Sequence, residues 1–281
     1  THTHIWEVGV RDFGHGHGTR DARTLSESRF PMKKISLLLI IPLLALLSSC
    51  EKETDNTPSG TTTTATIEFD YVFGANMLPW TLGEMYRHPK TGDSLRFTCF
   101  NFYVSRVRLQ KSDDTWWEDP TPAHLVCEAC PEGSLIKLEK LPIGEYQRLE
   151  FQLGVDSLMA ESEVPNGDLC HSLGMWDVDH GYAMLRAIGE SPNSPDGQFF
   201  ISLYGNTAPY NVVTQKSTDF FGTPRNFTHQ GNNRMTFMAN PAKMWHSSPG
   251  VSTMPVMDAP GAEAVTMAGN FFGSISYAGN N

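Results

Sequence analysis

The sequence predicts an all-β protein: a single-domain antiparallel β-sandwich, Ig-like or jelly-roll-like, with few short helices. Three observations predict it. Apolar and polar residues alternate with period two in many short runs, the pattern of half-buried strands. Turn residues separate those runs, with 24 Gly and 18 Pro among 281 residues, which favours turns over long helices. Hydrophobic residues make up 40% of the chain and charged residues 19%, an ordinary balance for a chain that buries one core. The formal net charge of −10 lacks the basic footprint that nucleic-acid binding needs, so that class of partner is excluded.

Taken in order, the first strand runs from Thr66 to Phe73. Ile67, Phe69, Tyr71 and Phe73 share one face, and Glu68 and Asp70 the other. Leu95 to Gln110 alternates over a longer span and reads as one bent strand or two. Asp113-Asp114 is a turn signal before Trp116-Trp117, a pair that reads as strand-edge packing or as a platform for sugar or protein. Leu135–Leu138 and Tyr146–Val155 are strands joined by the turn around Pro142-Ile143-Gly144. Tyr182–Ile188, Gln198–Tyr204, Asn233–Met238 and Phe271–Tyr277 complete the set. Helix signals are confined to Asp156–Glu161 and Pro241–Trp245. The domain so defined is 66–281.

Residues 1–65 stand outside it. Met32-Lys33-Lys34, the apolar run Ile35–Leu47 and the ending Leu47-Ser48-Ser49-Cys50 have the order of a secretory signal peptide over 32–49. The run is too short for a comfortable transmembrane helix. Its ending resembles the bacterial lipobox, in which the Cys is lipidated. Cys50 is therefore expected to carry lipid and to tie the protein to the outer membrane, within the cell envelope and facing the periplasm or the exterior. Residues 1–31 read as an upstream over-extension without order. The alternative for them is a metal-binding tail bearing His2, His4, His15 and His17. Residues 50–65, with Pro58, Gly60 and four consecutive Thr, read as a flexible tether.

Four further cysteines suit disulfides in an exported chain. The preferred pairing is Cys127–Cys130 with Cys99–Cys170. The second link would close a loop of about 72 residues and contribute roughly 4 kcal/mol. The alternative for Cys127-Glu-Ala-Cys130 is a soft-metal clamp or a redox pair.

One stretch is distinctive. Leu149-Glu150-Phe151-Gln152-Leu153-Gly154-Val155-Asp156-Ser157 is followed by Asn166-Gly167-Asp168-Leu169 and then by Met175-Trp176-Asp177-Val178-Asp179-His180-Gly181-Tyr182. Together with Ile67–Asp70, Phe102–Leu109 and Leu141–Tyr146, it resembles the MbnP-like copper-binding family, including its Bacteroidetes-type lipoprotein members. The resemblance covers most of residues 66–277. It implies an exported β-sandwich that binds copper. It also implies a partner for some members, a di-haem enzyme of the cytochrome c peroxidase/MauG type. By that likeness Trp176 is the candidate for oxidation to kynurenine. His180, His171 and Met175 are the candidate copper ligands, since imidazole and thioether suit copper. The sequence departs from the family pattern in three places. Val178 replaces a second Trp, Tyr204 falls where a His is expected, and the chain ends without the His-rich tail of many members.

The other candidates are weaker. His88, His124, His229 and His246 form no His-x-His or His-x-x-x-His pair. Met254 and Met257 suit Cu(I) or simple packing. Asp177 and Asp179 are few for a calcium site. No nucleophile elbow, zinc-protease motif, phosphate loop or dinucleotide fingerprint is present, so no enzyme is expected. The rival to copper binding is a surface lipoprotein that uses the sandwich to bind glycan or protein, with the metal site lost.

Overall fold

The computed structural model describes residues 60–130, 133–161, 167–169 and 174–279. The upstream segment, the signal segment, Cys50, most of the tether, Cys170 and His171 lie outside the described residues. The strands are β1 (Thr62–Phe73), β2 (Leu78–Pro79), β3 (Met85–Arg87), β4 (Ser94–Lys111), β5 (Trp116–Glu118), β6 (Ala123–Cys127), β7 (Leu135–Pro142) and β8 (Gly144–Leu153). After a helical turn, α1 (Ser157–Ala160), come β9 (Trp176–Asp177), β10 (Gly181–Tyr182), β11 (Leu185–Glu190), β12 (Gln198–Leu203), β13 (Thr214–Thr218), β14 (Arg225–Phe227), β15 (Arg234–Ala239) and β16 (Val256–Met257). A 13-residue helix, α2 (Ala262–Ser274), precedes β17 (Ser276–Gly279).

Two sheets face each other. The smaller has the order β17-β15-β1-β2, with β7 on the other edge of β1. The larger has the order β13-β8-β4-β11-β12-β16, with β14 on β8 and β3, β5 and β6 on β4. β9 and β10 form a separate ribbon. The all-β sandwich is thus the observed architecture, but its pairing is not wholly antiparallel. β1 runs parallel to β15, and β12 parallel to β16.

β1 starts earlier than the alternation alone predicts. Thr62 and Thr63 pair with Pro142 and Leu141 of β7, so the Thr-rich stretch already belongs to the sheet. β4 is one strand of 18 residues, not two. Its register shifts three times, opposite Ile188/Gly189, between Ser105 and Arg108, and between Gln110 and Lys111. At the second shift Arg106 takes φ +50° and pairs with Asp156. At the first, Gly189 is required by contact: a Cβ there would lie 2.0 Å from the Arg96 carbonyl oxygen.

Aromatic residues fill the space between the sheets. Phe69 of β1 meets Phe102 of β4 edge-on at 5.1 Å, and Phe151 of β8 meets Phe237 of β15 at 5.2 Å. α2 adds Phe271, 5.2 Å from Phe100 and 5.6 Å from Phe102. This helix corrects the strand expected over Phe271–Tyr277. Its buried residues are Ala264, Met267, Ala268, Phe271 and Phe272, the stripe of a helix facing a core. Lys216 closes its end, donating to the carbonyls of Gly273 and Ile275 at 3.2 and 2.8 Å. Among the described residues no helix is long and apolar enough to cross a membrane.

Cys127 and Cys130 form the expected local disulfide, with Cα atoms 5.3 Å apart, tying the last residue of β6 to the turn that follows it. Cys99 is a half-buried free thiol whose pKa burial pushes up, against the opposing pull of Arg186. Its expected partner, Cys170, lies outside the described residues.

Candidate functional site

The distinctive segment folds as the β9–β10 ribbon. Trp176 pairs with Tyr182, and Asp177 with Gly181, so Val178, Asp179 and His180 form the connecting turn. Tyr182 fixes the ribbon to the large sheet, its ring edge-on to Tyr103 at 5.9 Å. The Ala183 amide donates to the Met175 carbonyl at 2.7 Å, and the Met184 amide to the Leu203 carbonyl at 2.8 Å.

Asp177 organises the turn. Its Oδ1 accepts from the amides of Asp179 and His180 at 2.9 and 3.1 Å, and from His180 Nδ1 at 3.0 Å. The backbone amide of Asp179 leads in holding this carboxyl below its usual pKa. With Nδ1 carrying the proton toward Asp177, Nε2 of the exposed His180 ring keeps its lone pair. A carboxylate on one ring nitrogen and a free second nitrogen is the arrangement that orients metal-binding histidines.

The His180 ring lies against Tyr204, with centroids 5.2 Å apart. Tyr204 is buried, and its hydroxyl accepts from Arg186 Nη2 at 3.1 Å. Arg186 Nε donates to Ser202 Oγ at 2.9 Å. A Cβ on Gly174 would lie 2.9 Å from Arg186 Nη1, which places the ribbon's approach beside the guanidinium.

Of the expected ligands, His180 is exposed on the turn and Met175 is fully buried within the core cluster. His171 lies outside the described residues. Trp176 is half-buried against the core. Among the described residues no three His, Cys, Asp or Glu side chains converge as metal donors. The ribbon therefore presents one oriented imidazole nitrogen and, among the described residues, no converging set of donors. Its neighbours Tyr204 and Arg186 add a phenol and a positive charge.

The remaining histidines are differently engaged. His88 is buried, with Nε2 2.8 Å from the Ala242 carbonyl and Nδ1 2.9 Å from the Thr91 amide. His124 Nε2 lies 2.6 Å from the buried Asp119 carboxylate. His229 and His246 are exposed on separate loops. Met254 and Met257 pack partly buried against the core. Trp117 also packs on the core, while the Arg108 guanidinium sits 4.3 Å over the Trp116 ring, so that indole face is already covered.

Sequence reasoning missed Arg186. Its only signal was a charge between two apolar residues in the strand Leu185–Glu190, facing away from the buried Leu185 and Ala187. It also missed a row of side chains across four strands of the large sheet. Ile188 lies opposite both Cys99 and Phe200, and Phe200 lies opposite Val256. The first three are half-buried, and Val256 is 55% exposed.

The family model described as MbnP matches residues 62–259. The solved structure of MbnP from Methylosinus trichosporium is similar in fold, with TM-score 0.48 and 15% sequence identity, over 72% of this chain and 82% of that one. No curated protein matches the chain. The family match spans most of the chain, and it includes every element of the β9–β10 ribbon and its supporting strands: the protein belongs to the MbnP family.

Proposed function

We propose that the protein is a lipid-anchored member of the MbnP family that binds or handles copper in the cell envelope, in a binding role and not as an enzyme. The observation that carries this is the Asp177–His180 pair, which leaves one imidazole nitrogen open on an exposed turn. Family membership supports a copper-related role. His180 Nε2 is the anchoring donor, Asp177 orients it, and His171 is the second nitrogen nine residues earlier. Bound copper, held by His180 and His171, would supply redox chemistry. Trp176 is the residue proposed for oxidation to kynurenine, with a di-haem MauG-type enzyme as the oxidising partner. Cys50 carries the lipid that holds the chain to the outer membrane.

The test is metal content and intact mass on protein purified from its native envelope. One copper per chain, lost in His180→Ala, supports the role. Replacement of one indole ring carbon by oxygen, localised to Trp176 by peptide mapping, supports the oxidation. No copper after Cu(I) titration, together with an unmodified Trp176, overturns both. A second reading, a module that binds glycan or protein, is favoured by a separate observation. The row Cys99–Ile188–Phe200–Val256 is partly open to solvent, and Val178 on the turn is 78% exposed.

A further inference from the structure

The far end of β1 carries a cavity that the copper reading does not use. It has a volume of about 390 Å³, within the range of small-molecule sites. Three distant segments enclose it. Gly74, Ala75, Pro89 and Ala242 give apolar walls, and Lys90, Lys243 and His246 bring basic groups. Among the described residues no acidic side chain lines it. In a chain of net charge −10 that local excess of basic groups runs against the average. Lys90 Nζ donates to the neutral carbonyl of His246. Among the described residues neither Lys90 nor Lys243 has a carboxylate partner. Asp93, the acid that acts on His88, is itself buried and does not line the cavity.

Two buried side chains fix the walls. His88 Nε2 donates to the Ala242 carbonyl at 2.8 Å, while its Nδ1 accepts from the Thr91 amide at 2.9 Å. Asn240 accepts from the Gly74 amide at 3.1 Å and donates to the Gly74 carbonyl at 2.9 Å. Gly74 holds φ +73°, and a Cβ there would already touch Pro89 at 3.5 Å. The three segments are therefore positioned before any ligand arrives, which lowers the entropic penalty of binding.

We propose that this cavity binds an amphiphilic carboxylate, an apolar body with a single anionic head. The apolar walls receive the body, and the ammonium groups of Lys90 and Lys243, neither of which is held by a carboxylate among the described residues, receive the head. A wholly polar anion would leave the walls unused, and an amphiphilic amine would meet two like charges. The site is separate from the β9–β10 ribbon, so it stands or falls independently of copper.

The test is calorimetric titration of the full chain with octanoate, and with octylammonium, inorganic phosphate and phosphatidylglycerol vesicles as comparisons. Saturable 1:1 binding of octanoate alone is expected. Lys90→Glu with Lys243→Glu should weaken it by about tenfold or more, a difference of about 1.4 kcal/mol. Ala75→Trp, at an exposed wall position, should block it while leaving the thermal midpoint unchanged. Absence of octanoate binding overturns the proposal. So does equal binding of octylammonium or phosphate, binding confined to vesicles, or undiminished octanoate binding in both variants.

Discussion

His88 and His180 both commit Nδ1 to a neighbour within three residues, yet they end in opposite chemical states. His88 accepts the Thr91 amide at Nδ1 and gives its Nε2 proton to Ala242, 154 positions away. Both nitrogens are consumed, the ring is buried, and it joins two walls of a cavity. His180 gives its Nδ1 proton to Asp177 and keeps Nε2 open on an exposed turn. The number of histidines in the chain therefore says little about metal binding. What decides is where the second nitrogen points and whether a long-range acceptor has already claimed it.

The sharpest way to break the contrast is His88→Ala. Loss of a buried ring and its hydrogen bonds should lower unfolding free energy by about 3 kcal/mol, read from urea denaturation. A loss no larger than at an exposed site would mean that His88 is not structural. Asp177→Asn comes next. It removes the carboxylate that orients His180 and should weaken copper binding by about 10–100-fold, measured by competition with a chromogenic Cu(I) chelator. Unchanged affinity would remove Asp177 from the copper role.

The pH dependence separates the two rings more finely. Burial, the leading cause, lowers the His88 pKa from its usual value, so the folded state keeps this ring neutral where the unfolded chain protonates it. The unfolded state then binds more protons, and the His88 contribution is present above about pH 6.5 and fades as pH falls below it. The stability gap between wild type and His88→Ala should narrow from about pH 7 to about pH 5. A gap that is flat or widens would contradict a neutral buried ring. The smallest effect is on stability in His180→Ala, expected within about 0.5 kcal/mol of wild type because the ring is exposed.

Local patterns were legible. The alternation in β1 placed its buried face correctly, because period-two burial is written within the strand, whereas β4 buries every residue from Phe100 to Ser105 and so hides its faces. The Cys127–Cys130 link was legible from spacing, and the family likeness from the order of residues in the 149–182 segment. Other features were not, for identifiable reasons. Phe271 to Tyr277 reads as a strand in a short window, and only the upstream Ala264, Met267 and Ala268 reveal the helical period. The parallel pairings of β1 with β15 and β12 with β16 join segments far apart in sequence, where alternation carries no direction. The cavity is hidden for the same reason, since its walls meet through bonds spanning 154 and 166 positions. Arg186 gives no sequence signal because its partners, Ser202 and Tyr204, lie on and just beyond the neighbouring strand β12.

The long strand β4 has a consequence for how the chain acquires its fold. It is bordered along its length by β3, β5, β6, β8 and β11, so most of the large sheet is assembled on this one segment. Only β3 precedes it in the chain, and β8 and β11 follow much later. Until those partners emerge, a lengthy apolar ribbon with open edges stands exposed to intermolecular pairing. Nascent protein truncated before residue 190 should therefore aggregate. In the finished molecule the amides of β4 should be among the slowest to exchange with solvent, opening only with global unfolding.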